Sequence, residues 1–274
     1  MKIRKRFILL TITFLLLVSA FFFHEYGRSI WYPVYLRIKG KRTVSDVIAE
    51  IDSAADARIK FYFSKAEVIY PPRQLALLIF KMERTVELWA EEKGRWVFIR
   101  SYPILGASGK GGPKLREGDW QVPEGIYKVI ALNPNSSYHL SMKINYPNEY
   151  DRQKAVGDNR TNLGGDIFIH GKRASIGCVA IGDEAIEELF VLADKVGLPN
   201  VEVVIFPNDI RKALPLIEES PQILWLNELY GLIGEELKKV QELVRVAILP
   251  LCINIFLTFY LTGCPLAFIV ASSY

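Results

Sequence analysis

The stretch Asp166–Ile181, DIFIHGKRASIGCVAI, decides how this chain is read. It holds His170, one of three histidines, and Cys178, one of three cysteines. Ile167 and Ile169 alternate with Phe168 and His170, the pattern of a half-buried strand. Cys178-Val179-Ala180-Ile181 reads as a second short strand, and the polar connection Gly171–Gly177 is long enough for the chain to turn back. A strand, a turn and a strand would bring imidazole and thiol to the same end of a sheet. A cysteine becomes a thiolate near neutral pH only beside a base or a cation, and imidazole is the usual supplier. Gly177 lets the backbone approach a substrate with no side chain in the way. The amides of Ile176, Gly177 and Cys178 are then candidates to face a developing oxyanion. Spacing alone leaves a second reading open, in which His170 is a hydrogen-bonded structural residue and Cys178 a buried small hydrophobe.

Further motifs carry a resemblance. Ile169-His170-Gly171 followed by Ser175-Ile176-Gly177-Cys178 resembles the signature of the L,D-transpeptidase catalytic domain family (YkuD-like), whose members carry His-Gly, a spacer and Ser-His-Gly-Cys. Here Ile176 stands where histidine is usual, the spacer is short, and the arginine often found after the cysteine is absent from Val179-Ala180-Ile181. Ser-Ile-Gly-Cys is the form seen in the YafK-like branch of murein transpeptidases and amidases. Pro123-Glu124-Gly125-Ile126-Tyr127 resembles the family's Pro-x-Gly-x-Tyr turn, and Asn145-Tyr146-Pro147-Asn148 and Leu163-Gly164-Gly165-Asp166 match the same branch. The resemblance covers residues 72–206.

The resemblance implies a mainly β (α+β) fold, an L,D-transpeptidase-type β-sandwich with a packed helix. It implies cysteine-dependent acyl transfer on peptidoglycan stem peptides. Cys178 is then the nucleophile, His170 the general base and acid, and Gly171 the carbonyl that orients the imidazole. Ile176 and Gly177 supply oxyanion amides, Ser175 supports the loop, and His139, Tyr146 and Gly165 are candidate substrate contacts. His139 has a structural reading as well. The acceptor decides the product: a second stem gives a cross-link, an amine such as a lipoprotein lysine gives an anchor, and water gives hydrolysis. The alternatives are a murein amidase that releases a peptidoglycan-linked lipoprotein and a non-catalytic murein-binding module. The implied setting is the periplasm of a Gram-negative-type envelope, anchored at the inner membrane.

Composition agrees with that setting. The net charge of +4 is too mild to argue for nucleic acid, and no basic stripe with interleaved aromatics occurs. Cys252 and Cys264 lie in an apolar tail, so Cys178 is alone in the rest of the chain, which fits a reactive thiol better than a disulfide framework. No Cys/His cluster has metal spacing, so neither a metal nor a cofactor is expected.

The 274 residues divide into five segments. Residues 1–27 pair a basic start with the apolar run Phe7–Phe23, a signal anchor or a cleaved signal peptide. The positive flank would stay cytoplasmic. Residues 28–71 form a helical lead-in, opened by capping chemistry at Thr43-Val44-Ser45-Asp46. Residues 72–206 form the catalytic domain. It starts with the runs Leu75–Phe80, Val86–Ala90 and Trp96–Tyr102 as an antiparallel meander. Gly106–Lys114, GASGKGGPK, lacks the offsets of a phosphate loop and reads as a mobile turn or a border of the cleft. A turn and a strand follow over Trp120–Ala131 and another strand over Tyr138–Ile144, Asn145–Asn162 reads as a long polar loop over the site, and a helix over Glu184–Val196 precedes a strand at Val201–Phe206. Residues 207–246 include an amphipathic helix, with Leu226, Leu229, Ile233, Leu237, Val240 and Val244 on one stripe. Residues 247–271 are apolar enough for a second transmembrane segment, or else an interfacial or disordered tail.

Overall fold

A computed structural model describes residues 2–215 and 223–240. The second membrane segment expected at 247–271 lies outside the described residues. Helices α1 (Lys2–Tyr26), α2 (Arg28–Lys39) and α3 (Val44–Lys65) precede strands β1 (Leu75–Phe80), β2 (Thr85–Glu92) and β3 (Arg95–Pro103). Strands β4 (Gly125–Asn133) and β5 (Ser141–Ile144), helix α4 (Glu149–Gly157) and strands β6 (Phe168–His170) and β7 (Val179–Ala180) follow. Helix α5 (Asp183–Val196) and strand β8 (Val201–Phe206) come next, and residues 226–240 are helical and are labelled α6.

The architecture is α+β. The expected sandwich is realised as one curled sheet, in the order β3-β2-β1-β8-β4-β5-β6-β7. β4 is the corner. Its first residues, Gly125–Lys128, pair with β8, and its later ones, from Val129 to Asn133, pair with β5 across a register shift. A strand that changes partner at an irregularity is how a sheet turns a corner. The two ends of the order then meet, because Leu105 and Gly106, just after β3, hydrogen-bond to Ala180 of β7.

Alternation along β1 fills both faces. Leu75, Leu77 and Ile79 enter the core inside the curl, and Ala76, Leu78 and Phe80 face the opposite side. α3 and α5 cover the inner core with Ile59, Phe63, Ile186, Leu189 and Phe190. α6 covers the outer face with Leu226, Leu229, Ile233, Leu237 and Val240, which gives the apolar stripe of the C-terminal segment its partner. Thr43 caps α3 through a reciprocal pair with Asp46, as its sequence predicts. α3 is tied to α5 by Arg58 with Glu187 and Glu188 and by Lys195 with Asp52 and Asp56.

Asn145–Asn162 is not the expected loop over the site. Asn148 and Asp151 form a reciprocal capping box that starts α4, and Trp225 and Glu228 of the C-terminal segment bond to Asp158 and Lys154 around it. The Asn-x-x-Asp signature was present in the sequence, and the polar composition hid it.

Among the described residues, no helix is long and apolar enough to cross a membrane, so the expected anchor is not supported as a span. α1 still exposes Leu9, Leu10, Phe14, Leu16 and Phe21 to its surroundings.

Candidate active site

β6 and β7 are parallel, with Ile169 opposite Val179 and His170 opposite Ala180. The chain therefore does not turn back directly, as the sequence suggested, but runs the length of the pair before β7 starts. The register places Cys178 beside Phe168, whose amide donates to Sγ at 3.4 Å. Side chains alternate along a strand, so Phe168, His170 and Cys178 share one face. Ser141 of β5 is the cross-strand partner of His170. These four side chains join Ser175 and Ile176, and Asn133, Ser136, Ser137 and Tyr138 of the β4–β5 turn, around a cavity of about 250 Å³. Among the described residues, no aspartate, glutamate, lysine or arginine lines it.

His170 is 3 % exposed. Its Nδ1 lies 2.6 Å from the Gly171 carbonyl. A carbonyl only accepts, so Nδ1 carries the hydrogen. In the neutral ring, Nε2 then holds the basic lone pair, which meets the Ser175 hydroxyl at 3.2 Å. The Tyr138 ring packs against the imidazole at a tilt of 36°, with centroids 4.7 Å apart. Burial pushes the His170 pKa below its ordinary value, and the Gly171 contact opposes this only in part.

The Cys178 thiol donates to the Asp166 carbonyl at 3.7 Å. Burial raises its pKa above the ordinary thiol value, opposed by the Phe168 amide. Among the described residues, no hydrogen bond joins Sγ to the imidazole. Burial thus disfavours the charged form of both the thiol and the imidazole, and the direct contact between them that the sequence suggested is not made. Desolvation penalises both charged forms, and no direct contact repays that cost.

Gly177 has φ +79°, a left-handed conformation suited to glycine. Its amide, expected to face an oxyanion, donates instead to Ser108 Oγ at 2.7 Å. Neither Ser108 nor Gly177 lines the cavity, whereas Ile176 stands at its mouth, 72 % exposed.

The proposed substrate contacts are not gathered here. His139 pairs with Glu187 of α5 at 2.8 Å, which fits its structural reading. Tyr146 is buried against Tyr127 and donates to the Leu163 carbonyl. Gly165 lies off the cavity as well. Sequence reasoning missed Ser141 and Tyr138, because only the β5–β6 register and the turn after β4 bring them to His170. It left Ser108 inside a glycine-rich loop of undecided role. Among the described residues, no group of side chains is arranged to hold a metal.

Residues 76–205 match the family model of the L,D-transpeptidase catalytic domain (YkuD). Over 134 residues the chain is 38 % identical to the putative L,D-transpeptidase YafK of Escherichia coli K12, covering 47 % of this chain and 52 % of that protein, and the same values hold for strain O157:H7. The chain thus spans about half the length of the curated relatives it matches. Among solved structures, Bd1075 of Bdellovibrio bacteriovorus is 25 % identical, with a TM-score of 0.37 over 50 % of this chain and 48 % of that one. The helical cell shape determining protein Pgp2 of Campylobacter jejuni is 22 % identical, with a TM-score of 0.41 over 55 % of each chain. The motifs around His170 and Cys178 fall inside the matched segment, so that residues 76–205, under half of the chain, are similar to the L,D-transpeptidase catalytic domain family.

Proposed function

We propose that this protein is a cysteine acyltransferase acting on peptidoglycan stem peptides. The observation that carries the reading is that the Cys178 thiol and the basic Nε2 edge of His170 line one cavity, with the imidazole fixed by the Gly171 carbonyl. Cys178 Sγ attacks a stem-peptide carbonyl, and its proton passes to His170 Nε2. The C–N bond breaks, the departing amine takes that proton, and a thioester remains on Cys178. An acceptor then attacks the thioester carbonyl. Its proton goes to Nε2, the C–S bond breaks, and the thiol regains its proton. The first step needs Nε2 to leave Ser175 and meet Sγ, a tightening common when a substrate enters an apo site. The amides of Ile176 and Cys178 are the proposed oxyanion donors, since the Gly177 amide is engaged elsewhere.

The favoured acceptor is an amine, either on a second stem or on a lipoprotein. A hydrolytic reading has its own support. Among the described residues, the cavity offers hydroxyls, an amide and aromatic edges but no lysine or arginine to seat an acceptor carboxylate, and water needs no such seat. The proposed place of work is the bacterial envelope, in cell-wall biogenesis or shape. The exposed apolar side chains of α1 are assigned to a membrane that holds the domain near its substrate.

Mass spectrometry of sacculus digests after incubation with the protein separates these outcomes. New cross-linked dimers, released lipoprotein peptide and shortened stems each name one reaction. An unaltered digest, together with no mass increase on Cys178 from a carbapenem-type β-lactam, would leave only a binding role.

A further inference from the structure

We propose that Ser108 is a positioning residue for the nucleophile loop, and that the glycine-rich segment around it serves this purpose. The proposal rests on the acyltransfer reading above. Its first observation is the hydroxyl itself. Ser108 Oγ accepts from the Gly177 amide at 2.7 Å and donates to the Trp120 carbonyl at 2.7 Å. Both bonds are short, and together they fix the hydroxyl between two loops. The bond holds the Ile176–Gly177 peptide, one unit before the residue that carries the thiol. The left-handed φ of Gly177 turns the chain between that anchored peptide and Cys178.

The second observation concerns the glycines, and it is independent of the hydroxyl. A Cβ on Gly106 would stand 2.0 Å from the Arg173 carbonyl of the β6–β7 connection, and a Cβ on Gly109 would stand 2.0 Å from the Gln121 side chain. The segment therefore presses on the nucleophile loop on one side and on Trp120-Gln121 on the other. Its far end is held as well, because the Gly112 amide donates to the buried Glu124 carboxylate at 2.8 Å. Glu124 is itself bound to Lys81 at 2.9 Å and to Tyr230 of α6 at 2.9 Å. The sequence pattern that lacked the offsets of a phosphate loop thus has a different reason. Its glycines permit close contact, and its serine delivers a hydroxyl to the residue before the nucleophile.

Positioning of this kind has a signature. Attack on a carbonyl needs thiol, imidazole and oxyanion amides in register at once, and a loop displaced by about an ångström loses much of that rate. Alkylation by iodoacetamide needs only an accessible thiolate. The test compares both reactions on the full chain, with modification mapped to Cys178 by peptide mass spectrometry. Ser108→Ala should slow acylation by a carbapenem-type β-lactam roughly tenfold to a hundredfold. Alkylation should stay within about twofold, because the thiolate fraction and not loop register sets its rate. The unfolding midpoint should hardly move, and Ser108→Thr, which keeps the hydroxyl, should recover most of the acylation rate. Equal loss of both reactions, or unchanged acylation in Ser108→Ala, overturns the proposal. If the wild-type protein is alkylated at Cys178 but never acylated, it is the acyltransfer reading that fails, and the role of Ser108 in it falls with that reading. If Ser108→Ala does not fold, Ser108→Thr decides: a folded Ser108→Thr protein with wild-type acylation supports the anchor, and one with slow acylation refutes it.

Discussion

β1, β2 and β8 send side chains into cores on both of their faces, and their six- to eight-residue ladders pair along their length. β5, β6 and β7 are four, three and two residues long and leave one face to an open cavity. The long-stranded half stabilises itself through buried apolar area. The short-stranded half has too few ladder bonds to fix a thiol and an imidazole, so it borrows rigidity through side chains: Ser108 to Gly177, Ser175 to His170, and Asp183 to Lys172. Stability and chemistry are therefore assigned to different ends of one sheet. Changes at the short end should alter rate without much change in stability, and changes at the long end should do the reverse.

The largest expected effect is at Cys178. Cys178→Ala should reduce turnover to background while leaving the unfolding midpoint in place, since the substitution removes one small group at a cavity wall. Turnover surviving in this variant, read by sacculus digestion, would sink the thiol mechanism. Next comes His170→Ala, expected to lower the rate by roughly 10² to 10⁴. The wild-type acid limb should lie below the ordinary imidazole value, because His170 must be neutral to act as base and burial lowers its pKa. An acid limb above the ordinary imidazole value would contradict that assignment.

The opposite pole of the comparison is Lys81, buried at the end of β1. Its ammonium donates to the Gly112 and Val122 carbonyls and to Glu124. Lys81→Ala leaves Glu124 buried without its cation, at a cost of about 3–5 kcal/mol. Denaturant unfolding should register that loss, while the rate per folded molecule at Cys178 falls by less than in Ser108→Ala, because Lys81 and Glu124 hold only the far, Gly112 end of that segment. A folded Lys81→Ala protein with wild-type stability would show that the two halves are less divided than drawn here.

A smaller effect is expected at Asp151, where burial raises the carboxyl pKa to about 6. A raised carboxylate pKa means that the fold binds its proton more tightly than the unfolded chain does. Its contribution is therefore full below the unfolded value and is lost as pH rises through about 6. Wild type should accordingly lose stability relative to Asp151→Asn between pH 4 and 7, by up to about 3 kcal/mol. A difference flat across that range would refute it. The smallest change is assigned to Ile176→His. It should move the ratio of amine-acceptor to hydrolysed products by up to roughly tenfold, about 1.4 kcal/mol, with no change in unfolding. An unmoved ratio would place acceptor choice in the β4–β5 turn.

The same division governs what could be read from the sequence. The long strands were legible because apolar runs and charged turns determine them locally, as at Leu75–Phe80 and Glu83-Arg84. His170, Cys178 and Ser175 were legible as a motif. The parallel sense of β6 and β7 was not, because seven connecting residues fit a reversal as well as a parallel return. Nor was the engaged Gly177 amide, which depends on a hydroxyl 69 positions away. His139 and Tyr146 looked like polar residues near a cleft. Glu187 and the Leu163 carbonyl are the partners that draw them elsewhere, and only tertiary packing supplies these.

The bonds between Ala180 and the Leu105–Gly106 segment have a further consequence for how a substrate docks. Leu105 and Gly106 donate to the Ala180 carbonyl, and the Ala180 amide donates back to Gly106. The backbone groups of β7 on that side are occupied, so a peptide cannot add to this edge as another strand. On the acyltransferase reading proposed above, a stem peptide would arrive across the face instead, over the Ser136–Tyr138 turn, and be read by side chains and its own carbonyls. Recognition of that kind does not require the ligand to adopt the regular backbone of an L-peptide strand, so the closed edge leaves the site open to chains of mixed chirality.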